Sequence, residues 1–272
     1  CLGRCRVFPM QSGTLHIPAW DSHDHTQGPL GSFRASWLEE DTTAPKASPK
    51  MRLLTLTAKK LGIYVDASRE VLEDGLSLAQ QIGPVMRQSL AWAMDDSIIN
   101  GSGIARPMGI LAAPSTIGVN RTAAGEIQWG DVLNMYTRLL PSMRAGAQWI
   151  VSPAACQQLY NIHDTGNNMI FSAASFQGVS GPVAATLLGH PVYISEKAPT
   201  LGTKGDLVLC NLGAYALGMR SEIILERSNA PGWSEDLMSF RVIVRFDGHP
   251  LLDKPVTPAN GGATLSWAVV LE

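Results

Sequence analysis

Charge is sparse in this chain. Asp, Glu, Lys and Arg make up 16% of 272 residues, and 21 Lys plus Arg against 23 Asp plus Glu leave a formal net charge of −2. Proteins that grip nucleic acid do so largely by neutralising phosphates with surplus Lys and Arg, so that class is disfavoured. No run of about 18 apolar residues is present, so no transmembrane helix is expected. The opening CLGRCRVFPM holds no apolar stretch of signal-peptide length. A soluble chain, intracellular at synthesis, is the resulting expectation. Cysteine is scarce too: Cys1, Cys5, Cys156 and Cys210 are too few and too scattered for a disulfide framework. Cys156 and Cys210 sit among apolar residues and read as buried thiols, while Cys1 and Cys5 stay open. The chain begins with Cys1 rather than Met, which reads as an N-terminal segment removed by processing or by the choice of start.

Catalytic signatures are also missing. There is no Walker sequence, no GxGxxG and no GxSxG. The densest metal-capable set is His23-Asp24-His25 with Asp21 and His16 nearby, and Cys1 and Cys5 as conceivable thiolates. Zinc ligands pair at tighter and different spacings, so this cluster reads as a solvated loop. Cys156 and His163 share a helical face, but a nucleophile pair needs an orienting group and an oxyanion hole that nothing here supplies. Asp95 and Asp96 diverge by about 100° around a helix and form no carboxylate pair. The expectation is a protein without enzyme activity, metal or cofactor. The different-class alternative is a metal-dependent hydrolase using His23 and His25, which zinc analysis would reveal.

Apolar residues, at 45%, suffice for a sizeable core. They are unevenly spread: between Asp21 and Lys50 only 7 of 30 residues are apolar and 12 are Gly, Pro, Ser or Thr. Such a stretch builds no core of its own. Thr14 to Trp20 alternates ahead of it, with Leu15, Ile17 and Ala19 on one face and Pro18 confining the strand to an edge or bulge. Behind it Leu54, Leu56 and Ala58 alternate, and the parity flips across Lys59-Lys60 to Leu61, Ile63 and Val65. That flip marks a β-bulge or an exit from one surface to another. The whole reads as a long protruding β-ribbon whose partners lie on another molecule, since a lone two-stranded ribbon is marginal in water.

Ser68 is a plausible N-cap for a short helical turn. Leu78, Ile82, Val85, Met86, Leu90, Ala93 and Met94 predict an amphipathic helix ended by Asn100-Gly101-Ser102-Gly103. Gly83-Pro84 either opens its main part or kinks it. From about Ile104 a second unit begins, with a helical face at Trp129, Val132, Leu133, Tyr136, Leu139 and Leu140. A buried strand is read at residues 148–151, a helix at 153–162 and a surface loop at 167–186. Strands follow at 191–195, 206–209, 222–225, 240–246 and 265–271. The class is α+β, with strands mainly at the two ends.

Taken in order, these features carry a resemblance. They are Ile17-Pro18, Ala35-x-Trp37-x-x-Glu40, Leu54-Thr55-Leu56-Thr57-Ala58-Lys59-Lys60, and Val65-Asp66-Ala67-Ser68-Arg69-Glu70-Val71-Leu72-Glu73-Asp74. The amphipathic helix follows, then Ile99-Asn100-Gly101-Ser102-Gly103 and Pro107-x-Gly109-Ile110-Leu111. The chain resembles the major capsid proteins of tailed bacteriophages, with the Hong Kong 97-like fold, most strongly over residues 14–111. The resemblance implies a remnant of an N-terminal arm at 1–14 and an extended E-loop at 15–65 that lies over a neighbouring subunit. It further implies a peripheral domain at 66–103 and 219–272, carrying a long spine helix, and an axial domain at 104–218.

The implied function is self-assembly into pentamers and hexamers of an icosahedral shell around double-stranded DNA, held without sequence specificity. The shell would be a virion capsid assembled in the bacterial host cytoplasm, without a membrane. Partners would be copies of the chain itself, neighbouring capsomers reached through the E-loop, and portal, maturation protease and decoration proteins. An encapsulin-like or gene-transfer-agent shell is the alternative. Arg34, Trp37, Glu40 and Lys46 are the expected subunit-interface residues, Trp and Arg being types enriched at binding hot spots. Some family members cross-link an E-loop lysine to an asparagine beside a catalytic glutamate. Lys46 or Lys50 could supply the amine here, but Asp236 falls at the asparagine position and Ile243 at the glutamate position. A non-covalent shell is therefore expected.

Overall fold

In the computed structural model, which describes residues 1–26, 28, 33, 35, 37, 50–70, 78–162, 186–220, 223–230 and 236–272, two short strands open the chain. Strand β1 (Arg6–Pro9) has no alternation that would betray it. Strand β2 (Thr14–Trp20) half-buries Leu15, Ile17 and Ala19 and turns the intervening residues outward, as its alternation predicts. Among the described residues it pairs only with β3 (Met51–Thr57), which accommodates Pro18 without breaking a ladder. Beyond their ends Asp21 N donates to Lys50 O at 3.0 Å. Strand β4 (Lys59–Ser68) begins after a one-residue break at Ala58. The parity flip at Lys59-Lys60 is thus an exit: β3 belongs to the ribbon and β4 to a different sheet.

The chain folds into two compact units, each assembled from separate stretches of sequence. The first comprises Cys1–His16, Thr55–Gly109 and Ala216–His249. Its helix α1 (Leu78–Asn100) buries Met86, Leu90, Met94 and Ile98, one residue per turn. Of the face read from the sequence, Val85 points outward instead. Pro84 lies inside α1, so the longer helix runs through it rather than starting there. Gly83 lets Leu225 pack closely against the helix there, since a Cβ would sit 3.1 Å from Leu225 Cδ2. Ser68 ends β4, and Arg69 and Glu70 are helical directly after it, so it stands at the cap position read from the sequence; residues 71–77 lie outside the described ones.

The second unit, Ile17–Leu54, Ile110–Tyr215 and Pro250–Glu272, is introduced by β5 (Ile117–Val119) and α2 (Trp129–Thr137). Asp131, fully buried at the first turn of α2, takes Gln128 N and Thr122 N at 3.0 Å and Thr122 Oγ1 at 2.7 Å. The helix stops short of Leu139 and Leu140 because the chain there pairs elsewhere, Leu140 N donating to Ser266 O at 2.8 Å. Strand β6 (Gln148–Val151) is buried at every residue, and α3 (Pro153–Tyr160) follows with Ser152 as cap and Pro153 in its first turn. Strands β7 (Thr186–Leu187), β8 (His190–Ile194) and β9 (Leu207–Cys210) come next. The loop read at 167–186 falls almost wholly outside the described residues.

Strands β10 (Tyr215–Met219), β11 (Ile224–Ser228) and β12 (Leu237–Pro250) return to the first unit, and β13 (Ala268–Leu271) closes the chain. The first unit's sheet runs β1-β10-β12-β11, with β4 along the other edge of β12 from Leu237↔Ser68 to Phe246↔Lys59. The second runs β5-β13-β9-β6-β8-β7. Its core gathers Trp149, Val151, Leu207, Leu209, Val269 and Leu271 with Val132 and Met135 of α2 and Cys156 and Leu159 of α3. The sequence reading puts the whole 219–272 return with the first unit. Residues 250–272 instead pack in the second, because β13 fills the place between β5 and β9.

Candidate functional site

The ribbon carries the most conspicuous surface. Its alternation buries one row only, and Met51 and Leu53 on β3 and Trp20 at the end of β2 are exposed. Phe33 meets Trp20 edge-to-face at 5.0 Å between centroids, and Trp37 is exposed over its entire side chain. Arg34, Glu40 and Lys46, the other expected interface residues, lie outside the described residues. Five large apolar side chains thus stand open to solvent on one excursion of the chain, and exposed apolar surface of this kind is what interaction sites are made of.

The root of the ribbon is fastened by a pair of charges that the sequence reading did not single out. Asp247 accepts Thr57 N at 2.8 Å with one oxygen and Lys59 Nζ at 3.2 Å with the other. Lys59 Nζ also donates to Gly103 O at 3.1 Å and Arg106 O at 2.7 Å. One lysine therefore ties the exit from β3, the long strand β12 and the turn after α1. The available signal was the phase flip itself: one of two adjacent lysines had to point inward, and an inward lysine requires acceptors.

That turn is rigid. Gly101 N donates to Ser97 O at 3.0 Å, Gly103 N to Pro107 O at 3.1 Å and Gly109 N to Gly101 O at 2.9 Å. Both glycines at its base are sterically required: a Cβ on Gly101 would lie 2.1 Å from Pro107 O, and one on Gly109 2.4 Å from Gly101 N. Gly103 holds φ +80°, a left-handed conformation that favours glycine. At the tip stands Ile104, 88% exposed.

The other chemical candidates are spoken for locally. His23 and His25 serve through their backbone: Thr257 N donates to His23 O at 2.7 Å and His25 N to Thr257 O at 3.0 Å. The His23 ring contacts Asp21, and Asp24 is held below the usual carboxylate range by the hydroxyl and amide of Thr26. His16 Nδ1 pairs with Thr55 Oγ1 at 3.0 Å. Among the described residues no group of three or more His, Cys, Asp or Glu could hold a metal ion. Cys5, left open from sequence, is buried, and burial pushes its thiol up to about 12. Burial also raises Cys156, while its proposed companion His163 lies outside the described residues. Asp95 accepts Leu2 N at 3.0 Å, and Asp96 accepts Asn100 Nδ2 at 2.8 Å, so the two carboxylates serve different partners.

The most deeply buried ion pair among the described residues ties two loops together. Asp206, with no exposed side-chain surface, takes both oxygens to Arg121 at 3.0 and 3.1 Å, and Gly202 N at 2.9 Å. At the positions implied for a cross-link, Asp236 precedes β12 and faces Arg69 at 3.5 Å, and Ile243 lies opposite Gly62 on β4. No helix among the described residues is long and apolar enough to cross a membrane.

The fold is thus two α+β units and a ribbon whose aromatic side chains stand open. No curated protein matches the sequence. The chain does match the phage capsid family over residues 2–261, and it belongs to that family. Its fold is also that of the capsid of an empty GTA particle computed with C5 symmetry: 16% identity, 99% of this chain and 88% of that one covered, TM-score 0.77. A chain of Mycobacterium phage Bobi matches at 18% identity over 100% and 89% of the two chains, TM-score 0.69. One from Gordonia phage Cozz matches at 15% identity over 100% and 85%, TM-score 0.68. The Hong Kong 97-like α+β fold implied by the sequence is the one observed.

Proposed function

We propose that this chain is the major capsid protein of a tailed phage or phage-like particle, assembling through pentamers and hexamers into a closed icosahedral shell around double-stranded DNA. The observation that carries this reading is the ribbon, which exposes Trp20, Phe33, Trp37, Met51 and Leu53, whereas β6, β9 and β13 are buried at every residue. Residues 15–65 act as the E-loop laid over a neighbouring subunit, with Arg34, Trp37, Glu40 and Lys46 at that contact. Helix α1 is the spine of a peripheral domain, and residues 104–218 supply the axial domain. Near-neutral charge, a formal −2, lets packaged DNA slide rather than adhere. The chain performs no catalysis and needs no cofactor, and its particle is a virion capsid assembled in the host cytoplasm. Portal, maturation protease and decoration proteins complete that particle. A GTA shell is the second reading, favoured by the TM-scores of 0.77 and 0.76 to GTA capsids.

Electron microscopy and light scattering of the purified full chain test the proposal. Closed megadalton shells are expected, and a chain that remains a small oligomer under all assembly conditions contradicts it.

A further inference from the structure

The rigid turn after α1 stands beside a hollow that its own tip does not fill. About 280 Å³ of space is walled by Leu61, Trp92, Ala93, Asp96, Pro107 and Phe246. Pockets that take small ligands run roughly 300–1,000 Å³, so this one is sized for a side chain rather than a drug-like molecule. Ile104 stands at 88% exposure next to the wall residues Ala105, Arg106 and Pro107. An apolar side chain held out by three backbone hydrogen bonds, two close-packed glycines and Lys59 is pre-organised, so little conformational entropy is lost on docking it.

We propose that Ile104 of one copy enters the Leu61–Trp92–Phe246 hollow of a second copy, reciprocally, across a two-fold axis. Two observations select a second copy as the occupant. Knob and hollow adjoin on one surface, and a two-fold operator satisfies both at once, the self-complementary geometry of an isologous contact. The rim also carries both signs of charge: Arg106, next but one to the knob, and Asp96 both line the hollow, and no ion pair joins Arg106 among the described residues. Docking brings the guanidinium of each copy toward the carboxylate of the other, and such charge matching fixes register and favours the right partner. The contact adjoins the root of the ribbon at Lys59 but uses none of its exposed apolar side chains, and it rests on the shell reading only for the particle in which it operates.

The test uses the full-length chain. Ile104→Asp should raise the protein concentration needed to form shells roughly tenfold or more, as loss of a central anchor does. The thermal midpoint of the unassembled chain should not change, and Ile104→Leu should restore assembly. Shells forming at the wild-type concentration with Ile104→Asp overturn the contact. A cross-link reads it independently: Ile104→Cys chains mixed with Ala93→Cys chains and oxidised should yield disulfide dimers absent from the wild type, and monomers alone overturn it. If the wild type forms no shell, the shell reading fails, and the same mixture oxidised in solution still decides the contact by dimers or monomers.

Discussion

The ribbon and the six-stranded sheet are made of similar residues and treat them in opposite ways. In the sheet, Gln148–Val151, Leu207–Cys210 and Ala268–Leu271 are buried at every position, both faces being covered. Such strands read as unbroken apolar runs. In the ribbon, β2 and β3 alternate, and the exposed row includes Trp20, Met51 and Leu53. The sheet is completed by its own chain. The ribbon has apolar surface left over, so its stability and its purpose depend on what covers it.

That contrast can be broken from the sheet side first. Trp149, without exposed surface and donating Nε1–H to Leu187 O at 3.0 Å, fills the centre of the second core. Trp149→Ala should cost about 3–5 kcal/mol through lost burial and the cavity left behind, measured by chemical denaturation of the unassembled chain. A loss below about 1 kcal/mol would mean that the sheet is not the self-sufficient element described.

The root of the ribbon comes next. Asp247→Ala strips acceptors from Thr57 N and Lys59 Nζ and should cost about 1–3 kcal/mol. Amide exchange should accelerate at Thr57 while Trp149 and Leu209 stay protected. Uniform acceleration across both units would show that Asp247 is not local to the ribbon root.

A smaller effect is expected at His190, whose ring lies 5.7 Å from Tyr136, itself capped by Arg144 at 4.7 Å. Burial first, and Arg144 second, hold His190 below its ordinary value of 6.5, against an opposing hydrogen bond with Ala147. The unfolded chain therefore takes up a proton near pH 6.5 that the folded chain refuses. Stability from this group is present above that pH and is lost as pH falls toward the depressed folded value. His190→Gln should flatten the thermal midpoint's decline below pH 6.5, and an unchanged slope would remove His190 as its cause.

No change at all is expected in covalent state. Asp236 is a poor acyl acceptor and Ile243 cannot accept a proton, so particles boiled in detergent with reductant should run as one band near 29.2 kDa. A ladder would show that a different lysine and carboxamide have been brought together.

What the sequence displayed follows the same division. Local alternation and periodicity disclosed β2, β3, β6 and α2, where one stretch of chain decides its own conformation. They missed β1, which is a strand because it lies parallel to β10, some two hundred residues away. They read the strand at the end of the chain, but its grouping with the first unit came from the resemblance, whereas β13 is claimed by β5 and β9. Of the interface candidates, Trp37 alone lies among the described residues, and its side chain is exposed. The Lys59–Asp247 node and the Ile104 knob escaped notice because their meaning arises from residues 188 and a few positions away, respectively, meeting in space.

The central claim is that the ribbon's exposed apolar residues exist to be covered by another copy. Sedimentation of the wild type beside a chain lacking Gly28–Lys46 tests it most directly. The account predicts megadalton shells for the wild type, and for the deletion a folded species no larger than a capsomer with an unchanged thermal midpoint. Normal closed shells from the deletion chain would contradict it.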